Sequence, residues 1–171
     1  MSALVRFREG KFHRDASVAS PRMEQAWAYW QRIRGDRRFP LRSDFDPTEI
    51  PELLPSSAMV EVLRDPLDFR FRLVGTAIDA ITTRSIVGKR FSEIAYLTPG
   101  NNGWAEYESV ATTGEPLLVD RAYVGESSLV LALRDSLFPL STDGEVVDRV
   151  WSYLDIASAP MPGRPLPRIQ G

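Results

Sequence analysis

Residues 69 to 73 read Phe-Arg-Phe-Arg-Leu, and this alternation limits what the chain can fold into. A period of two puts Phe69, Phe71 and Leu73 on one face of a strand and Arg70 and Arg72 on the other. Gly75 stops the strand, and Thr76 to Ile81 reads as helical. Upstream, Met59 to Leu63 forms a second strand signal, joined to the first by the turn-rich Arg64-Asp65-Pro66-Leu67-Asp68. The pair predicts an antiparallel hairpin. A sheet edge that runs straight into helices can enclose a pocket.

The rest of the chain extends this plan. Short helices are expected through Ile86; Gly88 marks a break, and Phe91 and Ile94 anchor a helical turn. Pro99 to Gly103 is a cluster of breakers. Trp104, Tyr107, Val110 and Ala111 then recur at helical spacing up to Gly114. Three more strands follow, at 116–124, 127–138 and 146–156, the last two joined by a turn at Thr142-Asp143-Gly144. Leu129 to Leu133 is apolar without alternation, which implies burial on both faces.

The amino-terminal third is read differently. Residues 1–20 show no periodicity and are expected as a flexible arm. Ser20-Pro21 is a helix start, with serine as the cap and proline at the first helical position. Met23, Ala26, Trp27, Trp30 and Ile33 form one apolar stripe over residues 21–34, and Gly35 ends the helix. Two tryptophans on one stripe must cover something: the protein's own sheet or a dimer interface. Arg32, Arg34, Arg37, Arg38 and Arg42 cluster behind it, as a phosphate or partner patch or as a solvated loop. Asp46-Pro47-Thr48-Glu49 is a second cap signal, with Glu49 placed to reach back. Ile50, Leu53 and Leu54 supply an apolar plug. The tail at 158–171 holds four prolines and is expected to be extended and mobile. Residues 21–157 are thus expected as one domain.

Composition excludes several classes. A net charge of −2 and a pI of about 5.5 do not favour nucleic acid or anionic membranes. No apolar run approaches the roughly 20 residues of a membrane span. Ala3-Leu4-Val5 meets Arg6 and Arg8 at once, so no signal-peptide core is present and a cytoplasmic location is expected. The chain has no cysteine, which excludes disulfides, thiolate metal sites and thiol-linked groups. The single histidine, His13, lies in the arm. No nucleophile, base and orienter occur in a recognisable pattern. Gly100-Asn-Asn-Gly103 lacks the spacing and lysine of a phosphate loop.

In coarse order the elements are a helix, two strands, several short helices, a longer helix and three antiparallel strands. With this order, Phe69 to Gly75, Gly88-Lys-Arg-Phe91 and Phe138-Pro-Leu-Ser-Thr-Asp-Gly144 resemble a PAS domain. The likeness is to short stand-alone PAS-like proteins typical of alphaproteobacteria, which share a Trp-containing first helix and an Asp-Phe-Asp-Pro stretch like residues 44–47. It covers about residues 22–156. It implies an α+β fold, a five-stranded antiparallel sheet with short helices over one face. The amino-terminal amphipathic helix would pack on the other face or at a dimer interface.

The resemblance implies a sensory or regulatory module, not an enzyme. Such a module binds a small molecule or a separate signalling protein, often as a homodimer, and no nucleic acid or membrane. No cofactor is expected: flavin photochemistry and linked chromophores need a cysteine, and haem needs a histidine within the domain. A pocket would lie between the sheet and the helices of residues 76–114. Its expected lining is Trp104, Tyr107, Arg121, Tyr123, Arg134 and Ser136. An inward arginine there must be paired, by Asp120, Asp135, Asp148 or a ligand carboxylate. Met23, Trp27, Trp30 and Ile33 are the expected dimer or partner contacts. Two alternatives remain. One is a small metal-free isomerase or dehydratase using Tyr107 or Asp79 as acid or base. The other is a ligand-free structural adaptor.

Overall fold

The hairpin forms where the alternation places it. The computed structural model describes residues 11–13, 20–82, 84–122 and 130–158, apart from the side chains of 11–13, 120–122, 130–133, 157 and 158. Its strands are β1 (Lys11–His13), β2 (Ser57–Leu63), β3 (Asp68–Val74), β4 (Leu117–Ala122), β5 (Val130–Leu140) and β6 (Arg149–Ser158). The helices are α1 (Pro21–Arg34), α2 (Thr76–Asp79) and α3 (Asn102–Thr113), with single 3-10 turns between them. All strand pairs are antiparallel, in the order β1-β4-β5-β6-β2-β3.

The five expected strands are present. A sixth, β1, comes from the segment expected as a loose arm, and pairs with β4 in the register Lys11 to Asp120. Three residues carry too little pattern to announce a strand, and β4 supplies the hydrogen-bonding edge that holds them. The expected tail beyond Ser158 lies outside the described residues.

Two layers of helix grip the sheet. Helix α1 starts as its sequence indicates: the Ser20 hydroxyl accepts from Met23 N at 3.3 Å, and Gly35 closes the last turn. It packs on the outer face of β5 and β6. There Trp30 stacks on Phe138 at 5.9 Å, and its indole N–H donates to Pro139 O at 3.0 Å. Tyr29 ties the helix to the following loop: its hydroxyl accepts from Asp46 N and donates to Asp46 O. Phe45 fills the gap between Tyr29 and Trp151. Met23, Trp30 and Ile33 are therefore core residues of this chain, and the stripe covers the protein's own sheet. Of the four expected partner contacts only Trp27 stays half-exposed.

Helix α3 lies against the inner face of the same two strands. Leu137 and Phe138, adjacent on β5, point to opposite faces and are both fully buried. At these two positions the strand is covered on both sides; the burial of the Leu129–Leu133 side chains, expected on both faces, lies outside the described residues.

The alternation in β3 breaks at one place. Val60 pairs with Phe71 but Met59 pairs with Leu73, so Arg72 is an extra residue on β3. A bulge of this kind shifts the face of every residue beyond it. Phe69 and Phe71 point inward as expected. Leu73 does not join them: it emerges on the outer face beside Met59 and is 62% exposed.

Candidate functional site

The inner face between β2, β3 and α3 is filled by rings. Phe69 lies 5.2 Å from Phe91, 5.2 Å from Trp104 and 5.7 Å from Tyr107, measured between ring centres. Phe91 meets Tyr107 edge-on at 4.8 Å and Phe71 at 4.9 Å. Such offset and edge-to-face pairs add to the area term of burial. Trp104 and Tyr107 therefore sit where the sequence places them, but as packing. The Asp68 carboxylate anchors the neighbouring turn by accepting from the Ser92 hydroxyl at 2.6 Å.

Towards β5 the inner face becomes polar. Glu106, on the buried side of α3, is 1% exposed. Asp135 on β5 is buried too and accepts from the Ser152 hydroxyl at 2.8 Å. Two buried carboxylates on one face need satisfied partners, because an isolated charge there costs several kcal/mol or more. Sequence reasoning passed over Glu106. Its helical spacing with Gly103, Tyr107 and Val110 was the available signal.

Of the six expected lining residues, the four that are described do not share one face: Trp104 and Tyr107 lie among the rings, Arg134 and Ser136 on the other side of the sheet. Ser136 stands on the same side of β5 as Phe138, opposite the rings, and is fully buried with its hydroxyl unpaired among the described residues. Arg134 shares that parity and is half-buried. The period of two along β5 is the reason: residues 134 and 136 cannot share a face with 135 and 137. The Arg121 side chain and all of Tyr123 lie outside the described residues. Asp148 faces Arg149 at 3.9 Å and accepts from Thr142 N.

The arginine cluster after α1 is largely used within the chain. Arg32 pairs with Glu49 at 2.8 Å, so Glu49 does not reach back to close its own cap. Arg37 pairs with Asp44 at 2.6 Å. Arg38 donates to Thr113 O, one of the carbonyls left open at the end of α3. Arg34 lies over the Trp30 ring. Arg42 differs: its guanidinium stands 5.8 Å from the centre of the Phe45 ring and has no ion pair among the described residues.

Arg42 borders a cleft of about 240 Å³ on the outer face, beyond the edge of α1. Its walls are Phe45, Leu54, Met59, Leu73, Val74 and Trp151. The one hydroxyl in the lining is already engaged. Ser57 Oγ donates to Leu53 O at 2.8 Å and accepts from the Trp151 indole at 3.0 Å. Gly75 sets the back wall: a Cβ there would stand 2.3 Å from the carbonyl oxygens of Leu54 and Pro55. Only the bare backbone lets this loop approach the end of β3 so closely. Next to the cleft, Glu61 is ringed by Arg149 at 3.5 Å, Arg72 at 3.8 Å and Arg70 at 3.9 Å.

Among the described residues no group of three His, Asp or Glu side chains could hold a metal ion. None of their helices is long and apolar enough to cross a membrane.

A sheet in this order, with helices on its inner face and an amino-terminal helix on its outer face, has a known counterpart. The family described as PAS domain matches residues 18–154, and the chain belongs to it. PAS domains are in general sensory or regulatory modules and typically non-enzymatic. No curated protein and no solved structure matches the chain.

Proposed function

We propose that this chain is a PAS-type regulatory module that binds a small molecule or a protein partner and passes the signal on through protein–protein contacts in the cytoplasm. One observation carries the reading. Helices α1 and α3 hold opposite faces of the same two strands, β5 and β6. Leu137 under α3 and Phe138 under α1 are consecutive residues. Close-packed interiors transmit strain, so a change on the inner face is felt by the helix on the outer face. Binding then biases two arrangements of α1 on the sheet.

The enzyme alternative has weaker support. Tyr107 is locked between Phe69 and Phe91, and Asp79 is exposed on α2. Homodimer formation is part of the proposal, with contacts on the outer surface rather than through the buried stripe. Native mass spectrometry of protein purified from its own source tests the reading, since it reports subunit number and retained molecules together. A dimer, a bound small molecule or a bound partner is expected. A bare monomer whose α1 amides exchange no differently in cell extract than in buffer would overturn it.

A further inference from the structure

We infer that the outer-face cleft is a binding site for a small monocarboxylic acid with an apolar body, its carboxylate held by Arg42. The inference deepens the regulatory reading and rests on it for its biological meaning, but the site itself rests on geometry. The walls are aromatic and aliphatic, and the hydroxyl of Ser57 is consumed by Leu53 O and Trp151. The guanidinium of Arg42 is therefore the one strong donor the lining offers. A planar fork of N–H groups matches the two oxygens of a carboxylate.

The fold spends structure on keeping Arg42 in place. Arg42 N donates to Ser141 O at 2.7 Å and Ser141 N donates to Pro40 O at 3.1 Å, a short parallel bridge that clamps the loop to the end of β5. Its neighbours Arg37 and Arg38 have partners, Asp44 and Thr113 O, while Arg42 rests on an aromatic ring and has no carboxylate among the described residues. A half-buried cation beside apolar walls complements a ligand with one charge and a greasy body. At about 240 Å³ the cleft falls just below the roughly 300–1,000 Å³ of drug-sized pockets, so the ligand is small.

Met59 supplies the probe. The full-length chain is labelled with [13C]methyl methionine and titrated with octanoate, 3-phenylpropanoate and, as the uncharged isostere, octanamide. Saturable movement of the Met59 methyl signal is expected with both acids, while that of Met23, buried in the first turn of α1, stays still. The amide is expected to bind about tenfold or more weakly, the size of one charge-assisted hydrogen-bonded contact. Arg42→Gln should weaken the acids by that factor and leave the amide unchanged. Leu73→Asp, at a position that is 62% exposed and tolerant, should weaken the acids further than the amide.

Equal binding of acid and amide would overturn the inference. So would a Met59 signal that moves only with protein concentration, which would mean that a second copy covers the cleft. A ligand retained in native mass spectra that leaves Met59 unmoved would overturn this site while sparing the regulatory reading.

Discussion

The two faces of the sheet over β2 and β3 solve the same burial problem in opposite ways. On the inner face Phe69, Phe71, Phe91, Trp104 and Tyr107 close on one another, ring against ring. On the outer face Phe45, Met59 and Trp151 stop short of Leu73, and a cleft with a single cation remains. The difference turns on one residue. The extra Arg72 in the bulge moves Leu73 out of the ring cluster and onto the rim of the cleft. A face packed with rings resists change, whereas a face with a cleft and a cation that has no ion pair among the described residues can respond to what enters it.

Three experiments bear on this contrast. The largest effect is expected for Phe69→Ala, which removes the ring at the centre of the inner cluster. A loss of about 3–5 kcal/mol in urea denaturation follows from the cavity left behind. Leu73→Ala, four residues along the same strand, should stay within about 0.5 kcal/mol, as exposed positions do. Equal losses at the two sites would break the comparison.

An intermediate effect is expected for Gly75→Ala. The added methyl cannot coexist with the Leu54 and Pro55 carbonyls, so the back wall of the cleft must move. Destabilisation of about 1–3 kcal/mol is the usual cost of forcing atoms into a packed site. A shifted Met59 methyl signal should accompany it, because that side chain lines the same wall. An unchanged spectrum would place the cleft's shape elsewhere.

The smallest effect concerns the turn at Asp143. Backbone N–H groups of Glu145 and Val146 and the Ser141 hydroxyl hold its carboxyl below the ordinary range. A lowered folded value means that its contribution is in place above the unfolded value of about 3.9 and is lost as pH falls through the folded one. Denaturation midpoints measured from pH 5 downward should therefore drop less steeply in Asp143→Asn. An acid limb identical to the parent's would mean that the turn adds nothing to stability. Ser141, whose carbonyl accepts from Arg42 N, donates its hydroxyl to the Asp143 carboxylate, which links the test to the outer face.

Much of the architecture was legible because it rests on local signals. Ser20, Pro21 and Gly35 bound α1 where their cap chemistry puts them, and the β2–β3 hairpin follows from period-two patterning. The stripe of α1 was legible as apolar, but its target was not: a stripe reports that something is covered, never what. The expected site fared less well. Trp104 and Tyr107 were placed on the correct helix, yet whether an aromatic lines a cavity or fills it depends on neighbours far away in the chain. Arg134 and Ser136 were assigned to the pocket although their strand parity sends them to the other face, a check that needs the register of β5 against β6. The cleft at Arg42 had no sequence signal, since its walls come from four separate segments.

Local chemistry along the chain determined most of the elements, the ends of α1 and the β2–β3 hairpin, because propensity and periodicity act between near neighbours. Tertiary structure alone decided which rings pack together, that Arg42 has no ion pair among the described residues, and where the outer face keeps a cleft. Those outcomes depend on a bulge, a strand register and a glycine-permitted backbone contact, each set by atoms that are distant in sequence and meet only in the fold.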